Sequence, residues 1–244
     1  MALRARSASE RPPDSVNQPM VASPRSRTRT RAAERPADAT LLLLVRHGQT
    51  PTTGATLPGR AKGLHLAETG IAQAGEVATR IAGLAKVDAV YASPLERTRE
   101  TAKPIALARG LKVVPERGLL ECDFGEWTGA KLADLRKKPE WQTVQRYPSG
   151  FRFPGGESFS EMQQRMVSTL DRLAERHRGG TVVAVSHADP IKAAVAHALG
   201  THLDLFQRIV VSPCSVSAIL LTPSGPVVLA VNSTGQDLKA LVPS

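Results

Sequence analysis

Leu41-Leu42-Leu43-Leu44-Val45-Arg46-His47-Gly48 is the stretch on which the fold turns. Leu41–Val45 is a continuous apolar run, short enough to be a strand buried on both faces. It breaks directly into an arginine, a histidine and a glycine, so chemically active side chains stand just beyond its carboxyl end. Downstream the period changes. Ile71, Ala74, Ala78, Ile81 and Leu84 are spaced by three and four residues, and a helix is expected from near Thr69.

Further along, Val87–Ala92 reads as a second strand. Ser93, Pro94 and Glu96 read as the N-cap, first position and capping-box partner of a helix running towards Gly110. Leu111–Val114 is a short strand, followed by a long loop and polar helices up to about Tyr147. Ser158 and Glu161 form another capping box, and Met162, Met166, Leu170 and Leu173 line one face of the helix that follows. Thr181–Val185 is a third apolar strand, with a helix after it from about Pro190 to Leu199. Val216–Leu221 and Val227–Val231 flank a Pro-Ser-Gly turn and read as a terminal hairpin. Strands alternating with helices imply an α/β fold, a three-layer α/β/α sandwich around a mostly parallel sheet that the hairpin makes mixed.

Three places in this pattern are chemically unusual, and each follows a strand: Arg46-His47-Gly48, Ser93-Pro94-Leu95-Glu96-Arg97, and Ser186-His187. Ligands of open α/β sheets gather beyond the carboxyl ends of strands. Two histidines and two arginines therefore converge on one sheet edge. Arg97 in a first helical turn is poorly placed for the helix dipole, and a bound phosphate would compensate both the guanidinium and the helix amides.

These residues resemble the histidine phosphatase superfamily, the phosphoglycerate mutase-like fold. Leu43-Leu44-Val45-Arg46-His47-Gly48-Gln49-Thr50 looks like its signature, and Ser93 to Ala102 its second motif. Glu121 with Phe124-Gly125-Glu126-Trp127 and Gly129 resembles the third, Ser186-His187 the fourth, and Pro154-Gly155-Gly156-Glu157-Ser158 is also typical. The resemblance spans roughly residues 41–232. It implies that His47 is a nucleophile, that Arg46, Arg97 and His187 hold phosphate, and that Glu121 donates a proton to the leaving group. Gln49, Thr50, Thr53, Arg60 and Glu157 are further substrate-binding candidates. Asp123 and Glu126, on the same loop, compete with Glu121 for the proton-donor role.

The physics suits these roles. Phosphoryl transfer needs an in-line nucleophile and positive groups around the equatorial oxygens. Guanidinium forks grip phosphate oxygens two at a time. A neutral imidazole, with an unperturbed pKa near ~6.5, is nucleophilic at physiological pH. A backbone carbonyl near Gly48 is expected to take the other ring proton of His47, and His187 beside a dianion is expected to prefer its charged form. Two departures from the family pattern stand out. Thr53 occupies a position where many members carry Asn, and Ala188-Asp189-Pro190 stands where glycines are usual. Asp189 reads either as an active-site hydrogen-bonding group or as the cap of the next helix at Pro190.

The expected activity is phosphomonoester hydrolysis on a small phosphorylated metabolite, with no cofactor and no metal. The alternatives are a cofactor-dependent phosphoglycerate mutase-type phosphomutase and a non-catalytic phospho-ligand binding protein. Lys131, Arg136, Lys137, Lys138, Arg146 and Arg152 either face a second anionic group, as a mutase would need, or form a solvated helix face. His47, His65, His187 and His197 lack metal-ligand spacing, and neither a G-x-S-x-G elbow nor a Walker-type loop is present.

Composition bounds the remainder. The chain has 244 residues, 41% hydrophobic and 22% charged, a globular balance. Cys122 and Cys214 are too few for a disulfide framework and fit a reducing compartment. The net charge is +10, but residues 1–40 hold eight Arg against four acids and aromatics are only 4%, so a nucleic-acid partner is not expected. No apolar run is long enough to span a membrane, and the start lacks the apolar core of a secretory signal. A cytoplasmic protein is expected, with a homodimer left open. Residues 1–38, rich in Arg, Ser, Pro and Ala, read as a disordered basic extension, and residues 39–244 as one domain.

Overall fold

In a computed structural model the described residues are 37–235 and 238. The basic extension expected over residues 1–38 lies outside them, except for Ala37 and Asp38, an exposed turn leading into buried Ala39. The elements are β1 (Thr40–Arg46), α1 (Glu68–Ala82), β2 (Ala89–Ala92), α2 (Glu96–Ala108), β3 (Val113–Pro115), α3 (Leu132–Leu135) and α4 (Glu140–Arg146). They continue with α5 (Phe159–Arg176), β4 (Thr181–Ser186), α6 (Ala188–Ala198), β5 (Val216–Thr222) and β6 (Gly225–Ser233).

The six strands form one sheet in the order β3-β2-β4-β1-β5-β6. β3, β2, β4 and β1 run parallel, while β5 is antiparallel to both β1 and β6. The sheet is mixed and mostly parallel. Alternation along β1 divides its side chains between two cores. Leu41, Leu43 and Val45 pack with Val183 and Val185 beneath Val77 and Ile81 of α1 and Ala102 and Ile105 of α2. Leu42 and Leu44 pack with Val182 and Ala184 against Met166, Leu170 and Leu173 of α5 and Ile191 and Val195 of α6. Both sheet faces are thus covered by helices, which explains why β1 and β4 carry unbroken apolar runs. A third core, built on Phe124, Trp127, Phe151, Phe153, Phe159 and Phe206, lies under the segments that follow β3 and α6.

Pairing sets the active edge. Arg46 is registered with Ser186, and Ala92 with Val185, so β1, β4 and β2 end side by side. The chain leaving β1 passes tightly over the start of α1. A Cβ on Gly48 would lie 2.5 Å from the Gly70 carbonyl oxygen, and one on Gly70 would lie 2.0 Å from that of Gln49. Only two glycines permit this approach.

Two capping expectations are corrected. Ser93 does not cap α2: the helix begins at Glu96 after Leu95, without a side-chain cap. The Ser93 hydroxyl is instead turned to His187, at 2.9 Å from Nε2. Asp189 does not cap α6 either, because that helix starts at Ala188 with His187 at the N-cap, which places Asp189 inside the first turn. The box at Ser158 and Glu161 is present in both directions. The third short strand is shifted to Val113–Pro115, and the second is trimmed to Ala89–Ala92.

Candidate active site

Each of the four expected phosphate-site residues sits at or just beyond an element terminus on the same edge. Arg46 closes β1, His47 follows it, His187 follows β4, and Arg97 lies in the first turn of α2. The His47 backbone N–H donates to the Ser186 carbonyl at 3.0 Å, which carries the sheet pairing into the site. The His47 and His187 rings meet edge to face, with centroids 5.2 Å apart.

His47 Nδ1 lies 2.7 Å from the Gly48 carbonyl oxygen. A carbonyl only accepts, so Nδ1 carries the proton and Nε2 presents a lone pair. Burial, reinforced by Arg97 and Arg46, lowers the His47 pKa to about 3 against the opposing pull of that carbonyl. The ring is therefore neutral across the physiological range.

Arg97 is wholly buried, an unusual state for a guanidinium. Its Nη2 donates to the Gly59 carbonyl at 2.8 Å and lies 3.3 Å from His187 Nδ1. Among the described residues its Nε and Nη1, and Nε of Arg46, have no protein hydrogen-bond partner. Arg46 is fixed by a 2.7 Å hydrogen bond from Nη1 to the Val211 carbonyl. Because a guanidinium only donates, His187 Nδ1 accepts and its Nε2–H donates to Ser93. The charged form expected of His187 belongs to a site that holds a dianion; in the protein's own surroundings the balance runs the other way. Burial, then Arg97 and His47, hold its pKa well below the ordinary value. Burial weighs most and the cationic neighbours add to it, so the charged form needs a bound anion beside the ring.

Glu121 is buried, with Oε1 accepting the Cys122 backbone N–H at 3.0 Å. Burial, then the charge of Asp189, raise its pKa to about 7, against the Cys122 hydrogen bond and the Arg97 and Arg46 charges. A carboxyl poised there can give a proton and take one back. Asp123 instead pairs with Arg60 at 3.2 Å, and Glu126 is exposed.

The remaining candidates separate into two groups. Thr50 and Thr53 line a cavity of about 390 Å³ together with Arg46, His47 and Glu121. Gln49 does not; its side-chain oxygen accepts from Thr69 at 3.2 Å beside α1. Arg60 and Glu157, also substrate-binding candidates, do not line that cavity and pair with each other beside the Glu121 backbone. Arg60 Nε donates to the Glu121 carbonyl at 2.9 Å and its Nη2 to Glu157 Oε2 at 2.9 Å. Arg165 of α5 completes the clamp. It donates to both oxygens of Glu157, at 2.8 and 2.9 Å, and to the carbonyls of Gly118 and Leu120 at 2.7 and 2.9 Å.

Several participants escaped the sequence reading. Ser93 lies within its motif, but its local pattern reads as a cap. Thr101 accepts from the Gly48 N–H at 3.0 Å and donates to the Arg97 carbonyl at 2.8 Å, tying the β1 exit to α2. Its place four residues after Arg97, on the same helix face, was the available signal. Arg165 had no local signal, since its partners are distant in sequence. The basic residues Lys131, Arg136, Lys137, Lys138, Arg146 and Arg152 are exposed and do not line the cavity.

Residues 42–234 match the histidine phosphatase superfamily, branch 1. The chain belongs to that family. It is 34% identical over 198 residues to phosphoserine phosphatase 1 of Hydrogenobacter thermophilus, covering 79% of this chain and 92% of that protein. It is also 34% identical over 198 residues to the bifunctional protein Rv2228c of Mycobacterium tuberculosis, covering 80% of this chain. The chain spans about half, 54%, of that protein's length. Among solved structures, the phosphoserine phosphatase of Entamoeba histolytica in complex with 3-phosphoglyceric acid superposes with a TM-score of 0.73 at 27% identity, over 82% of this chain and 100% of that one.

Proposed function

We propose that this chain is a phosphomonoesterase that transfers a phosphoryl group to His47 and then to water. The observation that carries the proposal is the pairing of a His47 Nε2 lone pair, fixed by the Gly48 carbonyl, with unpartnered guanidinium N–H groups of buried Arg97 and of Arg46. Those donors meet the equatorial oxygens, and His187 joins them once an anion favours its protonation.

Nε2 attacks phosphorus in line while the ester P–O bond breaks. Protonated Glu121 gives its proton to the departing alkoxide, and the free alcohol leaves. Ionised Glu121 then takes a proton from water as that water's oxygen bonds to phosphorus. The N–P bond breaks, inorganic phosphate departs, and neutral His47 and protonated Glu121 are restored. The names of the phosphatase relatives support hydrolysis of a small phosphorylated metabolite, and the cavity suits such a molecule.

The test is phosphate release from a panel of phosphorylated metabolites by wild type and His47→Ala. Release by wild type, lost by ~10³-fold or more in the variant, with a label on wild-type protein that survives alkali and not acid, is expected for a nucleophile removed. In a parallel assay with 2,3-bisphosphoglycerate, conversion of 3-phosphoglycerate to 2-phosphoglycerate faster than phosphate release overturns hydrolysis in favour of the mutase. Tight phosphate binding without turnover identifies a binding protein.

A further inference from the structure

Asp189 lines the cavity, and beyond its charge effect on Glu121 the phosphoryl chemistry gives it no part. The cavity lined by Thr50 and Thr53 is also lined by Asp189 and Lys192, one helical turn apart on α6, and by Gln207. Lys192 Nζ lies 3.4 Å from Asp189 Oδ1 and 3.2 Å from Gln207 Oε1. Both charged side chains are less than one-fifth exposed, at 17% and 18%. Among the described residues the Asp189 side chain has no other hydrogen bond, and the Gln207 amide nitrogen donates to none. The wall therefore offers an acceptor, the second Asp189 oxygen, directly beside donors, the Gln207 amide and the third Lys192 proton.

We infer that Asp189, Lys192 and Gln207 select phosphomonoesters whose alcohol part is uncharged and carries several hydroxyls, a polyol or sugar phosphate. The inference rests on the phosphatase reading above and deepens it. A hydroxyl both donates and accepts, so it bridges the two charges without disturbing either. A carboxylate brought to Lys192 would lie beside Asp189, with Glu121 on the same cavity; an ammonium brought to Asp189 would lie beside Lys192. Each single charge meets its like, and such juxtaposition is how sites reject the wrong ligand. A zwitterion meets both charges at once, so O-phosphoserine is the competitor that tests the inference most directly. Leu57, Phe124 and Leu132 line the same cavity and offer apolar surface for C–H faces. At about 390 Å³ the cavity holds more than a phosphoryl group and a three-carbon chain.

The test compares kcat/KM for glycerol 3-phosphate, O-phosphoserine, 3-phosphoglycerate and phosphoethanolamine, which resemble one another in size and differ in the charge of the alcohol part, together with a hexose phosphate. Wild type is expected to favour glycerol 3-phosphate and the hexose phosphate by ~10-fold or more over each charged ester, the scale of leaving one buried polar group unsatisfied. Asp189→Asn should move the ratio towards 3-phosphoglycerate, and Lys192→Gln towards phosphoethanolamine, each by ~10-fold. Because Asp189 also bears on Glu121, the ratio between substrates is read rather than the rate. A wild-type preference for any charged ester overturns the inference, and so does a variant that shifts every substrate equally. p-Nitrophenyl phosphate separates the two failures. If its hydrolysis depends on His47 while the ranking is reversed, only the substrate class falls; if wild type turns over none of these esters, the phosphatase reading falls with it.

Discussion

At pH 7 the carboxyl of Glu121, with a pKa of about 7, is roughly half protonated, while the imidazole of His47, at about 3, is wholly neutral. The first half-reaction needs protonated Glu121, so kcat/KM for alkyl phosphates is expected to fall on the alkaline side with a midpoint near 7. Glu121→Gln should remove that limb and cost ~10²–10⁴-fold on alkyl esters, with a smaller loss on aryl esters whose leaving groups need no proton. An alkaline limb that survives the substitution moves the role to Asp123. The same carboxyl makes a stability prediction. Its native pKa is raised from 4.5 to about 7, so between those values the native state holds a proton that the unfolded chain releases, and stability falls as pH rises through that window. Glu121→Gln lacks this loss. Its stability relative to wild type should therefore improve from pH 4 to pH 8, by up to ~3 kcal/mol in denaturant titrations. A constant difference across pH would show that the carboxyl is not desolvated.

Among the elements, α5 does more than cover the sheet. Its N-terminal end projects Arg165 back to Glu157, and the pair, with Arg60, holds the loop that carries Glu121. Glu157→Gln keeps the shape and removes the charge that both guanidiniums share. The expected result is a loss of turnover that grows as the leaving group becomes more basic, on the order of 10-fold for aryl and 10²-fold for alkyl esters. An equal loss on both would mean that the clamp only stabilises the fold. Elements whose signals are local were legible beforehand: the apolar runs of β1 and β4, the Ser158–Glu161 box, and the hairpin of β5 and β6. A serine or aspartate near a helix start reads the same whether its oxygen turns back to the helix amides or outward to a neighbour, which is why the sequence reads Ser93 as a cap and leaves both readings of Asp189 open. Ser93 turns to His187, and Asp189 to Lys192 and the cavity.

Across the whole molecule, two cores sandwich the sheet, and both cysteines are buried in hydrophobic clusters, Cys214 between sheet and α1 and Cys122 among the aromatics. Burial raises both thiols, Cys214 to about 12. Neither should react with a thiol reagent in the native state at pH 8. Labelling is expected to appear only with global unfolding, the two sites together, in a denaturant series read by mass. Early modification of one site would reveal a local opening of its core.

Short-range periodicity and adjacent residues carry the alternation of strands and helices and the edge on which His47, Arg97 and His187 gather, while Glu121 is marked by the resemblance of its motif to the family's. Only the folded chain shows that Arg97 is fully buried with unpartnered donors, that Arg60 and Glu157 pair off the cavity, and that Lys192 bridges Asp189 and Gln207. Those facts depend on burial and on partners up to 97 residues apart, as Arg60 and Glu157 are, and no local pattern encodes which distant side chain will fill the space.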